Sequence, residues 1–186
     1  MSVDRKDERH IMLDLETLGT SSNSVIISIG AVAFYPYRLI DEGKSIYQAG
    51  ASSVFFSAID KQSCLDIRLL VDTETEVWWS KQPEEAKAQF KFTVIIHSAL
   101  VRLESFIEPC DALWGNGSDF DNVILANAYK ACGFEQPWSH RANRCYRTMK
   151  AMFPQVKTER TEIAHHALED AKYQTRHLLN IFKEMQ

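Results

Sequence analysis

The chain has 186 residues, 45% of them hydrophobic, and its 25 acidic and 21 basic side chains give a formal net charge of -4. A chain of this length buries about 70% of its unfolded surface in one core, so it predicts a single domain over residues 1–186. The longest apolar run, 25–34, is too short for a bilayer span of about 20 residues, and the acidic balance argues against a protein that coats nucleic acid through bulk positive charge.

Residues 1–9 carry charges of both signs and lack the apolar stretch of a secretory signal. They predict a charged, flexible tail and a protein of the cytoplasm. The four cysteines are widely spaced and form no Cys-x-x-Cys pair, which argues against a zinc knuckle and predicts reduced thiols.

Strand patterns occupy the first part of the chain. The apolar segment 10–15 ends near Gly19 and predicts a strand followed by a turn. Residues 25–34, rich in β-branched side chains, predict a second strand, and 53–56 a third. The Asp-Glu-Gly sequence at 41–43 predicts one of the hairpin turns between them.

Helical spacing begins after residue 60. Asp72 and the acids that follow predict a capped helix start leading into Trp78 and Trp79, and Pro83 ends or restarts this helix. Apolar side chains at spacings of three and four, with one short apolar run, predict the later elements. These are helices at 100–107, 123–129 and 164–182 and a strand at 112–114. Together the elements predict an α/β domain with a mixed sheet.

Two carboxylates, Asp14 and Glu16, come at the end of the first predicted strand. Because side chains alternate along a strand, both point to the same face. Two like charges on one face are tolerated when a divalent cation lies between them. The same pattern recurs at Asp72 and Glu74 on a predicted helix start, so the motif alone is weak. Two solvated carboxylates at a strand end are the alternative interpretation.

A second candidate is Asp121, in a Gly-rich segment at 114–122 between a predicted strand and a predicted helix. A carboxylate in the first turn of a helix is favoured by the helix dipole, which by itself explains its presence. We expect Asp119 or Ser118 to cap the helix and Asp121, which follows the apolar Phe120, to point into the site. The glycines of the segment allow a ligand to approach the backbone closely.

The third candidate pair is His165 and Asp170, at the start of the last predicted helix. Residues five apart lie about 140° around a helix axis, so these side chains share a site only if His165 still belongs to the preceding loop. A polar surface histidine is the alternative, and it is the interpretation that we keep for His166.

The three motifs gather four acids and no thiolate, a donor set that selects hard ions such as Mg²⁺ or Mn²⁺ over zinc. Their order and spacing resemble the DEDDh family of 3′-to-5′ exonucleases from about His10 to Phe182. The family's Asp-x-Glu, Phe-Asp and His-x-x-x-x-Asp motifs match, in turn, Asp14 with Glu16, Phe120 with Asp121, and His165 with Asp170. The resemblance implies an RNase H-like fold, a mixed five-stranded sheet flanked by helices.

Further short matches resemble a subgroup of small phage-type exodeoxyribonucleases and bacterial exoribonucleases. They are Ile27 to Ala31, Trp78-Trp79, Trp114 to Gly117, Pro137-Trp138 and Arg144 to Thr148. The resemblance implies a single-stranded 3′ end as substrate, and the phage-type matches favour DNA. An exoribonuclease acting on RNA or short oligoribonucleotides is the alternative; a non-catalytic nucleic-acid-binding module and a phosphohydrolase acting on a small nucleotide are more remote ones.

The resemblance also implies a two-metal mechanism that releases nucleoside 5′-monophosphates. Asp14 would bridge two Mg²⁺ or Mn²⁺ ions, with Asp121 supporting the ion on the leaving-group side. Glu16 and Asp170 would complete the site that holds the nucleophilic water. His165 would take the proton from that water, a role that suits its unperturbed pKa of about 6.5. Two bound ions would also cancel the formal charge of -4.

Contacts with the terminal nucleotide are predicted next to the first motif. Thr17 and Leu18 match the family's positions for recognising its sugar and base, and Phe120 is a candidate either for this contact or for packing. Trp78, Trp79 and Trp138 are predicted to pack in the core or at its rim rather than to stack on bases.

A basic segment at 141–150 has charges spaced by three, which predicts a stripe along one side of a helix. Its members are Arg141, Arg144, Arg147 and Lys150. The stripe is either a solvated surface or a contact for the phosphates of the incoming strand, and Arg147 is the residue favoured for that contact.

Overall fold

Six strands form one mixed sheet in the computed structural model, which describes residues 5–48, 52–117 and 119–186. The strands are β1 (His10–Thr17), β2 (Ile26–Phe34), β3 (Ser52–Ile59), β4 (Thr93–Val94), β5 (Ala112–Gly115) and β6 (Asn143–Cys145). The helices are α1 (Pro36–Asp41), α2 (Lys61–Asp66), α3 (Thr73–Ser80), α4 (Glu84–Lys87), α5 (Ile96–Ile107), α6 (Asp121–Ala131), α7 (Tyr146–Met152) and α8 (Ala167–Glu184). The strand order is β4-β3-β2-β1-β5-β6, with β2 antiparallel to β1 and β3 and the other neighbours parallel.

The predicted mixed sheet flanked by helices is confirmed, although it has six strands rather than five within the described residues. β1 and β2 are buried along their whole length, as expected for strands covered on both faces, and most of their residues are accordingly apolar, with Asp14, Glu16 and Ser28 among the buried polar exceptions. β4 and β6 have only two and three residues. Such short segments show no alternation, so pairing with β3 and β5 alone makes them strands.

The predicted helices are confirmed as α3, α5, α6 and α8. Asp72 caps α3 by accepting a hydrogen bond from the amide of Glu74 at 3.0 Å. Trp79 and Trp138 are buried in the core, and Trp78, which is 41% exposed, packs edge-on against Trp79 at the rim.

The predicted hairpin turn at 41–43 is wrong. The connection after β2 instead forms α1, which begins at Pro36, a residue favoured in the first helical turn. Gly43 follows the end of this helix with a φ of +63°, and its amide donates to the carbonyl of Ile40 at 3.1 Å. The glycine therefore terminates a helix.

The basic segment at 141–150 is not one helix, so the predicted stripe is wrong for its first half. Arg141 lies in a 3₁₀ turn, and Arg144 lies in β6 opposite Trp114. Only Arg147 and Lys150 belong to α7. Pairing with β5 overrides the local helical spacing.

The N-terminal segment is anchored from residue 5 onward. Residues 5–7 form a 3₁₀ turn, and the Arg9 guanidinium donates to the carbonyls of Phe106, Ile107 and Pro109 at 2.6 to 2.9 Å. The flexible tail expected over residues 1–9 thus does not include 5–9, and its remainder lies outside the described residues. Among the described helices, none has the length and apolarity that a membrane crossing requires.

Candidate active site

The ends of β1 and β5 and the starts of α6 and α8 converge on a pocket of about 290 Å³. β1 and β5 are parallel neighbours, so the residues at their carboxyl ends meet at one edge of the sheet. The lining includes the five predicted catalytic residues Asp14, Glu16, Asp121, His165 and Asp170, together with Phe120 and Arg147.

Asp14 and Glu16 lie on the face of β1 that borders the pocket, while Leu13 and Leu15 pack in the core. Burial raises the pKa of Glu16 to about 8. Burial, followed by the charges of Asp121 and Glu16, raises the pKa of Asp14 well above its ordinary value. These carboxyl groups are therefore desolvated and mutually repelling, unlike the solvated pair that was the alternative interpretation.

Asp121 begins α6, and two backbone amides donate to its carboxylate, from Leu15 at 3.0 Å and from Asn116 at 2.6 Å. Burial raises the pKa of Asp121 to about 6, and the hydrogen bonds from the two backbone amides oppose this shift. A Cβ at Gly115 would lie 2.6 Å from Asn122 Oδ1 and 3.0 Å from Asp121 Cβ. This glycine therefore allows α6 to approach β5, rather than a ligand to approach the backbone.

The predicted cap of α6 is not found at Asp119. The residue at the cap position is Phe120, which makes no side-chain capping bond, and Asp119 is exposed. Ser118, the alternative cap, lies outside the described residues. The Asp121 carboxylate accepts the loop amide of Asn116, which lies outside the helix, so its contribution to the start of α6 is its negative charge in the first turn, where the helix dipole favours it.

His165 lies in the loop before α8, as sharing a site with Asp170 requires. It has a φ of +61°, and its backbone amide donates to Asp170 Oδ2 at 2.9 Å. Its ring makes an edge contact with Trp78, with the ring centroids 4.9 Å apart. Burial, followed by the positive charge of Arg160, lowers the pKa of His165 below its ordinary value. The imidazole is thus held in its neutral, proton-accepting form near pH 7.

The donor set of the pocket fits a hard divalent cation. Glu16, His165 and Asp170 each offer a ligand atom, and these three atoms lie within 4.8 Å of one another. Asp14 and Asp121 border the same pocket, and the raised carboxyl pKa values are the electrostatic penalty that a bound cation would relieve. Within the described part of the chain, the buried Oε1 of Gln174 finds no hydrogen-bond partner.

Two residues of the pocket were missed from the sequence. Gln174 donates to Asp14 Oδ1 at 2.6 Å, and Arg160 forms an ion pair with Asp170. Gln174 comes four residues after Asp170 in α8, so helical spacing was a usable signal for it. Arg160 belongs to the irregular segment between α7 and α8, where no periodicity indicates which way a side chain points.

The predicted substrate contacts lie in different places. A neighbouring pocket of about 560 Å³ is lined by Thr17, Trp78 and Phe120, and Phe120 also borders the carboxylate pocket. The Thr17 hydroxyl donates to the carbonyl of Gly19 at 2.6 Å. Leu18 is 6% exposed and lines a separate cavity of about 490 Å³, so its side chain is not brought to the carboxylates.

A third pocket, of about 630 Å³, adjoins the carboxylates on the side of α7. Arg147, Lys150 and Lys157 line it, and it shares Arg147 and Lys150 with the carboxylate pocket. Its lining contains no Asp or Glu, whereas the pocket around Thr17 contains three acids and no Lys or Arg. The two neighbours of the carboxylate pocket are thus opposite in charge.

The buried carboxyl groups predict that the metal-free protein loses stability between pH 6.5 and 8. A raised pKa means that the carboxyl group of the folded state still holds a proton at a pH where the unfolded state has released it. Stability therefore falls as the pH rises toward and through the pKa of the folded state. Glu16, with a pKa of about 8, titrates in this window, while the pKa values of His165 and His166 are lowered and lie below it. Thermal unfolding in EDTA measures the effect.

Saturating Mg²⁺ or Mn²⁺ supplies the control, because a bound cation stabilises the ionised carboxylates in the folded state. The dependence of the unfolding midpoint on pH should then shrink. A midpoint in EDTA that rises or stays level from pH 6.5 to 8 would contradict the desolvated site.

The comparisons with known proteins agree with this architecture. Residues 9–182 match the model of the Rv2179c-like 3′-5′ exoribonuclease domain. No curated protein sequence matches the chain significantly.

Several solved structures share the fold at low identity. The nuclease domain of 3′hExo, a DEDDh family member bound to rAMP, has 12% identity and a TM-score of 0.58, with 95% of this chain and 92% of that one covered. A 3′-exonuclease that recognises the 3′ end of the histone mRNA stem-loop has 11% identity and a TM-score of 0.56, covering 95% and 82%. The nuclease CRN-4 has 10% identity and a TM-score of 0.50, covering 97% and 64%. The match to the family model establishes that the chain belongs to the Rv2179c-like family of 3′-5′ exoribonuclease domains, and the solved structures show that it has the RNase H-like fold of the DEDDh exonucleases.

Proposed function

We propose that this 3′-to-5′ exonuclease removes nucleotides one at a time from the 3′ end of single-stranded RNA in a reaction that depends on Mg²⁺ or Mn²⁺, releasing nucleoside 5′-monophosphates. The observation that carries the proposal is the convergence of four carboxyl groups and a histidine of lowered pKa on one small pocket. A location in the cytoplasm stays a prediction from the sequence.

We favour RNA over DNA as the substrate because the matching family is described as one of exoribonuclease domains. Among the structural neighbours, one is bound to the ribonucleotide rAMP and another recognises the 3′ end of the histone mRNA stem-loop. The short phage-type matches in the sequence favour DNA, which is therefore the alternative outcome of the test.

Asp14, Glu16, Asp121 and Asp170 would hold two divalent cations. When bound, such ions activate water and neutralise the charge that accumulates on the phosphate. Carboxylate oxygens are the donors that Mg²⁺ and Mn²⁺ prefer, and the buried charges of this pocket are otherwise unfavourable.

His165 accepts the proton of the attacking water in this proposal. Its lowered pKa keeps the ring unprotonated at neutral pH, so that it is ready to act as a base. Asp170 has a second task besides metal binding, since Oδ2 accepts the His165 amide and so helps to hold the loop.

The charge difference between the two flanking pockets suggests how the strand lies. A terminal nucleoside carries no charge beyond the phosphate that is attacked, so its sugar and base suit the acidic, aromatic pocket with Thr17 and Phe120. Leu18 stays a predicted contact from the sequence. The phosphates further along the strand suit the basic pocket with Arg147, Lys150 and Lys157.

Arg147→Ala is expected to raise KM for an oligonucleotide about three- to tenfold with little change in kcat, because one phosphate contact is lost. The slope of log kcat/KM against log salt should become shallower by about 0.7, the value for one phosphate of a single strand. Steady-state kinetics at several salt concentrations measures both.

Arg144→Ala is the matched control, because its guanidinium donates to the backbone carbonyls of Arg141 and Asn143. An equal effect of the two substitutions would contradict the assignment of Arg147.

Digestion of matched RNA and DNA strands of the same sequence tests the substrate. We expect RNA to be shortened faster than DNA, and single strands faster than duplexes, with either metal ion. Faster digestion of DNA would identify a deoxyribonuclease. The proposal would be contradicted if the protein hydrolysed a nucleoside triphosphate but digested neither RNA nor DNA. It would also be contradicted if the protein bound a strand without cleaving it.

A further inference from the structure

A buried amide outside the pocket lining makes unusually many contacts with the loop that carries His165. Gln89 lies in the 3₁₀ turn Ala88–Lys91 and is 8% exposed. Its Nε2 donates to the carbonyls of Ala86 at 2.7 Å and His165 at 2.6 Å. Its Oε1 accepts from Ser28 Oγ at 2.8 Å and from the amide of Ala167 at 3.3 Å. One side chain thus binds the backbone on both sides of His166.

The backbone of His165 needs such support. Its φ of +61° lies in the left-handed region, which is unfavourable for residues other than glycine. The amide of the residue is bonded to Asp170 and its carbonyl to Gln89. Both backbone polar groups are therefore fixed by side chains from other elements, and the conformation that aims the imidazole depends on them.

Gln89 also ties this loop to the sheet. Its partner Ser28 is fully buried in β2. Two residues further along β2, a Cβ at Gly30 would lie 2.2 Å from the carbonyl carbon of Ala167 and from the nitrogen of Leu168. The start of α8 therefore rests directly on β2, and Gln89 joins that contact to the carbonyl of His165.

We propose that Gln89 is a positioning residue for His165, holding the left-handed loop conformation that directs the imidazole into the carboxylate pocket. This inference rests on the proposed function, in which His165 is the base. Gln89 does not line the carboxylate pocket, so its effect on the reaction passes through the loop. The competing interpretation is that the amide only satisfies buried polar groups and stabilises the fold.

Gln89→Met separates the two, because it keeps the length and volume of the side chain and removes its hydrogen bonds. We expect kcat to fall about 10- to 100-fold, since a displacement of about 1 Å in a reacting group costs up to about 100-fold. KM and the affinity for Mn²⁺ should stay within about twofold, because Gln89 does not line the carboxylate pocket. Gln89→Asn, which shortens the amide by one methylene, should act in the same direction.

Ser28→Ala is the matched control. It removes one hydrogen bond of the Gln89 amide, the one donated by the buried Ser28 hydroxyl, and leaves the hydrogen bond from Gln89 to His165. We expect its kcat to stay within about twofold of the wild type even if its unfolding midpoint falls. Equal losses of kcat in Ser28→Ala and Gln89→Met would show a structural role alone and overturn the proposal.

A double substitution tests the route through the histidine. In a His165→Ala background, Gln89→Met should cause no further loss of kcat, because coupled residues are not additive. A further loss equal to that in the wild-type background would overturn the proposal.

Amide hydrogen exchange tests the positioning without any turnover. The His165 amide, bonded to Asp170, should be protected in the wild type and in Ser28→Ala and should exchange at least about tenfold faster in Gln89→Met. Unchanged protection in Gln89→Met would overturn the positioning role. Failure of the wild type to digest any strand would instead contradict the proposed function, and the exchange result would still stand.

Discussion

Asp14→Asn is expected to lower the rate of nucleotide release by about a thousandfold or more while the protein stays folded. Asp14 is 8% exposed, and its carboxyl group lies with Asp121 and Glu16 around one pocket. Asparagine has nearly the same shape but no charge, so the variant loses a hard anionic ligand and with it several kcal/mol of transition-state stabilisation. Turnover of a labelled strand at saturating metal measures the loss.

In the metal-free protein, Asp14→Asn should leave the stability of the fold unchanged or raise it. The raised pKa of Asp14 shows that its charge is unfavourable there, so Asp14→Asn should unfold in EDTA at the same temperature or higher. Asp119→Asn is the matched control, because this carboxylate is exposed in the loop that leads to Asp121. Asp14→Asn with more than a few per cent of wild-type turnover would contradict the role of Asp14.

His165→Ala is the second large effect, expected to lower kcat by about two to four orders of magnitude. The side chain is the base of the proposed reaction, and its lowered pKa leaves it ready to accept a proton. Because the four carboxylates remain, the affinity for Mn²⁺ should change by less than about threefold. Kinetics and metal titration on the same preparation measure the two properties.

His166→Ala controls for the neighbouring position, since that ring stacks on Phe56 with the centroids 4.9 Å apart. We expect its turnover to stay within about threefold of the wild type. Loss of metal binding in His165→Ala would make His165 a ligand rather than a base, a possibility raised by its closeness to Glu16 and Asp170.

The parts of the site that could be predicted are those that local rules govern. Asp14 and Glu16 share a face because strands alternate, and this holds in any strand. A spacing of five lets His165 and Asp170 share a site only if His165 lies before the helix, and the structure has His165 in the loop before α8. Buried strands covered by helices on both faces are mostly apolar, which made β1 and β2 visible in the sequence.

The remaining features depend on contacts between segments distant in the sequence. β6 exists because residues 143–145 pair with β5, and this pairing broke the helix predicted through Arg144. Gln89 reaches His165 across 76 positions, and Arg160 meets Asp170 from an irregular segment. Spacing rules describe single elements, so none of them indicates such contacts.

The net charge of -4 takes on a different meaning with the site in view. Four of the acids border the carboxylate pocket, and a basic pocket with Arg147, Lys150 and Lys157 adjoins it. Positive charge is thus concentrated where a strand would enter. The arrangement suits metal-dependent engagement of a strand end rather than coating of its length.

The most direct test of the central claim is to follow a single-stranded RNA labelled at its 5′ end, with and without Mn²⁺, and to identify the released product. The four-carboxylate site predicts a ladder that shortens by one nucleotide at a time from the 3′ end, nucleoside 5′-monophosphate as the product, and no reaction in EDTA or in Asp14→Asn. Internal fragments, release from the 5′ end, or cleavage that persists in EDTA would contradict it.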